Sequence, residues 1–123
     1  MKRLIVFFTL VTVFQVLAFG AVERIILRDK GPQDNRDHAL TQDMPDVYYH
    51  YDVKTQDIII DGGGVVSYYD VEISSPVTNT VEMTTQVNGT YDSFDISSLP
   101  AGSHVITIES PSGNIYEGTF TKY

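Results

Sequence analysis

From Ala21 onward, apolar and polar residues alternate in short runs. Val47–Asp52 sets Val47, Tyr49 and Tyr51 against Tyr48 and His50. Val65–Ser74 places Tyr69, Val71 and Ile73 on one face and Asp70 and Glu72 on the other. Thr80–Val87 alternates through Val81, Met83, Thr85 and Val87, and Ser103–Glu109 sets His104, Ile106 and Ile108 against Val105 and Thr107. Successive side chains of an extended chain point to opposite faces, so a period of two predicts half-buried strands. Val22–Arg28, Asp57–Asp61, Tyr91–Ile96 and Asn114–Thr121 add further strands. No window carries an apolar pattern with the period of a helix. Seven or eight strands at a spacing of about 8–12 residues predict an all-β chain: an antiparallel β-sandwich or small barrel with one face of each sheet wet.

Turn chemistry fills the gaps. Asn88-Gly89, between Thr80–Val87 and Tyr91–Ile96, is the signature of a tight hairpin. Gly62-Gly63-Gly64 predicts a flexible turn; it lacks the Lys-Ser/Thr and the helix that a phosphate loop needs. The segments Ile73–Asn79 and Ile108–Asn114 resemble each other at a shift of 35 positions, each passing through Ser-Pro and ending at Asn. They predict two hairpins with shared turn chemistry, since proline belongs outside the ladder. In the loop Ser97–Gly102, Leu99 is the apolar residue expected to plug the sandwich end. Pro100 presets φ there, and Gly102 is expected at positive φ. His104 is expected partly buried and bonded to a nearby backbone carbonyl; its other reading is a ligand or pH-sensing role.

Composition agrees. Residues 21–123 hold ten Val, ten Ile, ten Thr and eight Tyr against three Ala and three Leu, and β-branched and aromatic residues suit a pleated surface. The first twenty residues differ in kind. Lys2 and Arg3 precede a nearly unbroken apolar run, Leu4–Phe19, and small residues stand at Ala18 and Gly20. This is the pattern of a secretory signal peptide, too short for the ~20 residues that span a bilayer. Residues 1–20 are therefore expected to be removed. The remaining domain, 21–123, has its first strand and an acidic loop within 21–45, and it is expected to be secreted or periplasmic. Removal takes two bases and no acids, moving the net charge from −8 to −10. That sign argues against nucleic acid as a partner and against electrostatic docking on an anionic membrane. The 123 residues contain no cysteine, so neither a disulfide, a thiol nucleophile nor a lipid-anchoring thiol is available, and no stable membrane anchor is expected after cleavage.

Chemistry is sparse. No G-x-S-x-G elbow occurs, a domain this small offers little room for a carboxylate-lined cleft, and no catalytic activity or cofactor is expected. Asp29, Asp34, Asp37, Asp43 and Asp46 crowd one loop, of which Asp34 and Asp37 are the weak candidates for Ca²⁺; the EF-hand spacing is absent. Asn88-Gly89-Thr90 matches a glycosylation sequon, which the turn explains equally well. Tyr48, Tyr49 and Tyr51 on one strand, with Tyr68 and Tyr69 on another, are the residues that suggest a partner. One alternating set is expected in the core and the other on the surface, as cross-strand packing or as an aromatic strip for a glycan or a protein.

The segment Phe94-Asp95-Ile96-Ser97-Ser98-Leu99-Pro100-Ala101-Gly102, then an alternating strand, Ser112-Gly113-Asn114, and a last strand with Gly118-Thr119-Phe120, resembles a family. It is the domain-of-unknown-function family of small secreted Bacteroidales proteins with a single immunoglobulin-like domain. The resemblance runs from about Arg24 to Phe120, with His104 standing where the family carries Tyr. It implies an immunoglobulin-like antiparallel β-sandwich without catalytic activity. The type IX secretion sorting domains share part of the pattern but usually open with Asn-Pro, which this chain lacks. Three functions follow as expectations: a protein-interaction module pairing through an edge strand, a carbohydrate-binding module using Tyr48 or Tyr49 and Tyr51, and a free-standing sorting-like domain. A long bare edge strand would favour the first, and a contiguous exposed tyrosine patch the second.

Overall fold

The computed structural model describes residues 21–30, 43–52 and 54–123. The signal-like segment 1–20 and the candidate calcium ligands Asp34 and Asp37 lie outside the described residues. Among these residues nine strands form two antiparallel sheets: β1 (Ala21–Ile25), β2 (Arg28–Asp29), β3 (Asp46–Tyr51), β4 (Gln56–Asp61), β5 (Tyr68–Ser74), β6 (Val81–Asn88), β7 (Tyr91–Asp95), β8 (Gly102–Glu109) and β9 (Ile115–Lys122). The first sheet runs β1-β3-β4-β7 and the second β2-β9-β8-β5-β6. The all-β sandwich read from the alternation is the observed architecture.

The inward phases of the strands meet between the sheets. Val47, Tyr49, Ile58 and Ile60 face Tyr69, Val71, Ile73, Ile106, Ile108 and Phe120, all buried. Burying one such side chain stabilises by about 1.5–3 kcal/mol. The exposed ion pairs Arg24–Asp46 (2.9 Å) and Arg28–Glu117 (3.2 Å) are worth ~0–1 kcal/mol each, so packing and not charge holds the sheets together.

The single first strand expected over Val22–Arg28 is two strands in opposite sheets. β1 pairs with β3 and β2 with β9. Ile25 is buried and Leu27 packs against the core, while Ile26 between them is 73% exposed. The crossing passes over Gly118, where a Cβ would stand 2.8 Å from both Ile25 Cγ2 and the Ile26 carbonyl oxygen. A period-two pattern cannot register such a switch, because both halves keep the same inward phase.

The two Ser-Pro segments are hairpins, β5–β6 and β8–β9. Ser75 N–H donates to Thr80 O (2.9 Å) in the first and Ser110 N–H to Asn114 O (2.9 Å) in the second. The left-handed position falls on Asn79 (φ 57°) in one and Gly113 (φ 92°) in the other, because the first loop is one residue longer.

Asn88-Gly89 corrects its expectation. β6 pairs with β5 and β7 with β4, so the dipeptide joins two sheets and is not a hairpin. Asn88 Oδ1 accepts from Thr90 N–H (3.0 Å) and Tyr91 N–H (2.9 Å), which turns the chain locally. Gly89 is needed for space, not for positive φ: a Cβ there would lie 1.8 Å from the Val66 carbonyl oxygen. The glycine run is a hydrogen-bonded corner against it. Gly62 N–H and Gly63 N–H donate to Thr90 O (3.0 and 3.1 Å), and Gly64 N–H donates to Gly89 O (3.0 Å).

Candidate interaction surface

The five tyrosines taken as candidate binding residues are divided between core and surface, as alternation predicts, and between the two sheets. Tyr49 and Tyr69 are fully buried, which corrects their reading as surface binding residues. Tyr49 stacks near Phe120 and Tyr123 (centroids 5.5 and 5.9 Å), donates its hydroxyl hydrogen to Gln56 Oε1, and accepts from Tyr123 N–H (3.1 Å). Tyr51 meets Tyr123 edge-on at 5.4 Å. These contacts tie Tyr123, the residue after β9, to β3 and β4 at one end of the sandwich. Tyr48 and Tyr68 are half-buried on the outer faces of opposite sheets, so the five tyrosines form no contiguous patch.

Leu99 is buried as the expected plug, and Gly102 takes φ 121°. His104 is 2% exposed and stacks 5.5 Å from Phe120. Its Nε2 lies 2.7 Å from the Pro100 carbonyl oxygen, the backbone partner expected of it. Its Nδ1 lies 2.6 Å from Glu82 Oε1, a partner hidden from strict alternation. Ile73 opposes Met83 but Ser74 opposes Val81, so a bulge leaves Glu82 as the extra residue and turns it inward onto His104.

A second buried polar centre surrounds Asp43. Its carboxylate accepts from Tyr116 Oη, Asn114 Nδ2 (3.0 Å) and Ser112 Oγ (2.9 Å), and its backbone carbonyl accepts from Tyr69 Oη (2.8 Å). Burial pushes the Asp43 carboxyl up, but the donors from Tyr116, Asn114, Ser112 and Ser110 outweigh it and hold it below the usual carboxylate range. Burial and the adjacent Asp43 charge push the Tyr69 phenol up to about 12, and burial with the Asp43 hydrogen bond raises Tyr116 further. The centre pins the entry to β3 onto β5 and the β8–β9 turn. Asn114 Nδ2 also donates to Ser112 Oγ (3.2 Å), and the donors converge on Asp43, so the arrangement is a clasp. Among the described residues no group of three or more His, Asp or Glu side chains is placed to hold a metal ion.

The open surface lies at the sheet edges. β2 has two residues; β1 carries Glu23 and Arg24; β7 has five residues and carries Asp92 and Asp95. β6 has eight residues, and among the described residues no strand lies beyond it. Its start is protected by the bulge and the inward Glu82, and its end by Asp92 Oδ2, which accepts Asn88 N–H (3.0 Å). Between them Met83-Thr84-Thr85-Gln86-Val87 has no charge and no proline. Gly89 N–H donates to Ser67 O across the strand pair, which sets the alternation of the ladder: residues 83, 85 and 87 bond to β5, and the N–H and C=O of Thr84 and Gln86 face the open side. Beside this edge, on the outer face of the second sheet, lies a shallow cleft of about 500 Å³ lined by Asp70, Glu72, Thr84, Gln86, Thr107 and Glu109. Asp70 stands directly opposite Glu109 in the register, and Gln86 Nε2 donates to Asp70 Oδ1 (2.9 Å).

No family model matches the chain, and no curated protein does. Among solved structures it is similar to a DUF3244 family protein with an immunoglobulin-like β-sandwich fold from Bacteroides vulgatus ATCC 8482. The identity is 15%, the TM-score 0.60, and the alignment covers 83% of this chain and 99% of that one. The likeness is one of fold. It agrees with the resemblance carried by Phe94–Phe120, since that protein too belongs to a family of unknown function.

Proposed function

We propose that the chain is a non-catalytic interaction module, secreted or periplasmic, that takes an extended segment of a partner protein onto the open side of β6. The observation that supports it is the run Met83–Val87, which has no charge and no proline and whose outward amides and carbonyls at Thr84 and Gln86 meet no further strand among the described residues. Strand addition uses main-chain hydrogen bonds for affinity and alternate side chains for selection, which suits the shallow cleft beside β6. The signal-like residues 1–20 support the exported location. The divided tyrosines weigh against the glycan reading.

The test screens a library of eight-residue peptides against the domain and against Gln86→Pro. That substitution removes an outward donor while leaving the β5 ladder intact, as edge positions allow. Peptides retained by the parent protein should be lost by the variant, and binding should slow hydrogen exchange at the Thr84 and Gln86 amides. Equal retention by both proteins, or binding to glycans with no protection of those amides, overturns the reading.

A further inference from the structure

We infer that the segment received by β6 is basic, with lysine or arginine at alternate positions facing outward; this rests on the strand-addition reading above. A strand added beyond β6 continues the second sheet about 4.8 Å away. Its side chains then divide into two rows. One row lies over the inward phase of β6, where Met83 and Thr85 are part-exposed and Val87 is buried, and this row favours apolar residues. The other row lies on the outer face beside Thr84 and Gln86, at the mouth of the cleft that holds Asp70, Glu72 and Glu109.

The charge of that cleft is one-sided. Three carboxylates line it and, among the described residues, no lysine or arginine does. Arg28 and Lys30, at the far edge of the second sheet, stand 3.2 and 3.6 Å from Glu117, and Lys122 at the end of β9 is buried. Asp70 and Glu109 are direct cross-strand neighbours, an opposition of like charges that costs stability in a free sheet. A guest cation relieves it. A lysine or arginine stem is long enough to cross the β6 row over Thr84 or Gln86 and bring its charge to Asp70 or Glu72, with its methylenes covering the neutral strand. A guest with acidic outer residues would instead add to three carboxylates. The edge supplies register and the cleft supplies selection, so the two together specify an alternating basic and apolar segment.

The test uses three labelled eight-residue peptides: Lys-Val-Lys-Thr-Lys-Val-Lys-Thr, the same sequence with Glu for Lys, and a composition-matched peptide with its lysines in one block. Binding to the domain is read by fluorescence anisotropy at low and at physiological salt. The alternating lysine peptide should bind, should weaken as salt rises, and should lose affinity about tenfold against the triple variant Asp70→Asn, Glu72→Gln, Glu109→Gln. It should lose binding against Gln86→Pro. Equal binding of the glutamate peptide, still abolished by Gln86→Pro, overturns the basic partner and leaves the edge reading standing. Equal binding of the block peptide, or binding that Gln86→Pro does not change, places the attraction elsewhere on the acidic surface and overturns both.

Discussion

Replacing Asp43 with alanine should cost far more than its place in a loop suggests. The carboxylate is 8% exposed and receives three side-chain donors, from Tyr116, Asn114 and Ser112, of which Tyr116 and Asn114 are themselves buried. In Asp43→Ala these buried donors keep their desolvation and lose the Asp43 carboxylate, Asn114 Nδ2 retaining its bond to Ser112 Oγ (3.2 Å), at about 1–3 kcal/mol each. The expected loss is therefore about 3–5 kcal/mol at neutral pH, a large share of the ~5–15 kcal/mol that stabilises a domain of this kind. Tyr116→Phe removes one bond and leaves the carboxylate its others, so it should cost about 1–2 kcal/mol. The cost also depends on pH. The folded-state pKa of Asp43 lies below its ordinary value of 3.8, so its contribution is fully present above that value and is lost as pH falls through the lower folded one. The gap between parent and Asp43→Ala should shrink accordingly below pH 4. Urea unfolding of residues 21–123, followed by tyrosine fluorescence at neutral pH and at pH 3, measures both quantities, with unchanged slopes as the check on a two-state comparison. A loss under about 1 kcal/mol at neutral pH, or a gap that stays constant into acid, would refute the clasp.

Three further outcomes follow from the same geometry. On the alkaline side, the folded-state pKa of Tyr69 is raised to about 12, so its stabilising contribution is complete below pH 10 and fades as pH climbs towards 12; Tyr69→Phe should flatten that limb in a pH series of unfolding midpoints. Gly89→Ala places a methyl group 1.8 Å from the Val66 carbonyl oxygen and should cost at least ~3 kcal/mol, whereas Gly63→Ala, with open space around its Cβ, should show only the milder strain of its φ of 67°; thermal unfolding of the two variants separates space from conformation. Glu82→Ala leaves buried His104 Nδ1 without its partner and should cost about 1–3 kcal/mol, while Glu82→Gln should recover part of it; equal losses for both would remove the pair as the cause.

Much of this fold can be read from local pattern. Alternation marks the strands to within a few residues of their ends, from β3 through β9, because one wet and one buried face impose a period of two on each strand separately. Turn chemistry of short range was equally legible. The two Ser-Pro hairpins, the Leu99 plug, the positive φ of Gly102 and a bond from His104 to a nearby backbone carbonyl, which is that of Pro100, all involve residues within a few positions of one another.

Pairing between strands is another matter, since two strands with the same period can join the same sheet or opposite ones. The division of Val22–Arg28 between the sheets turns on Gly118, about ninety residues away, and Asn88-Gly89 is a corner because β7 pairs with β4 and not with β6. Tyr49 and Tyr51 went to the packed end because Tyr123 returns there, and Glu82 faces inward because of a bulge that alternation cannot show. Asp43 looks like one more acid of a loop until Tyr69, Ser112, Asn114 and Tyr116 close around it from distant strands. The open edge is likewise a tertiary property: Met83–Val87 reads as an ordinary strand, and only the order of the second sheet leaves it without a neighbour among the described residues. Local sequence determines which face of a strand is apolar, while long-range packing determines what that face meets and which backbone groups remain free.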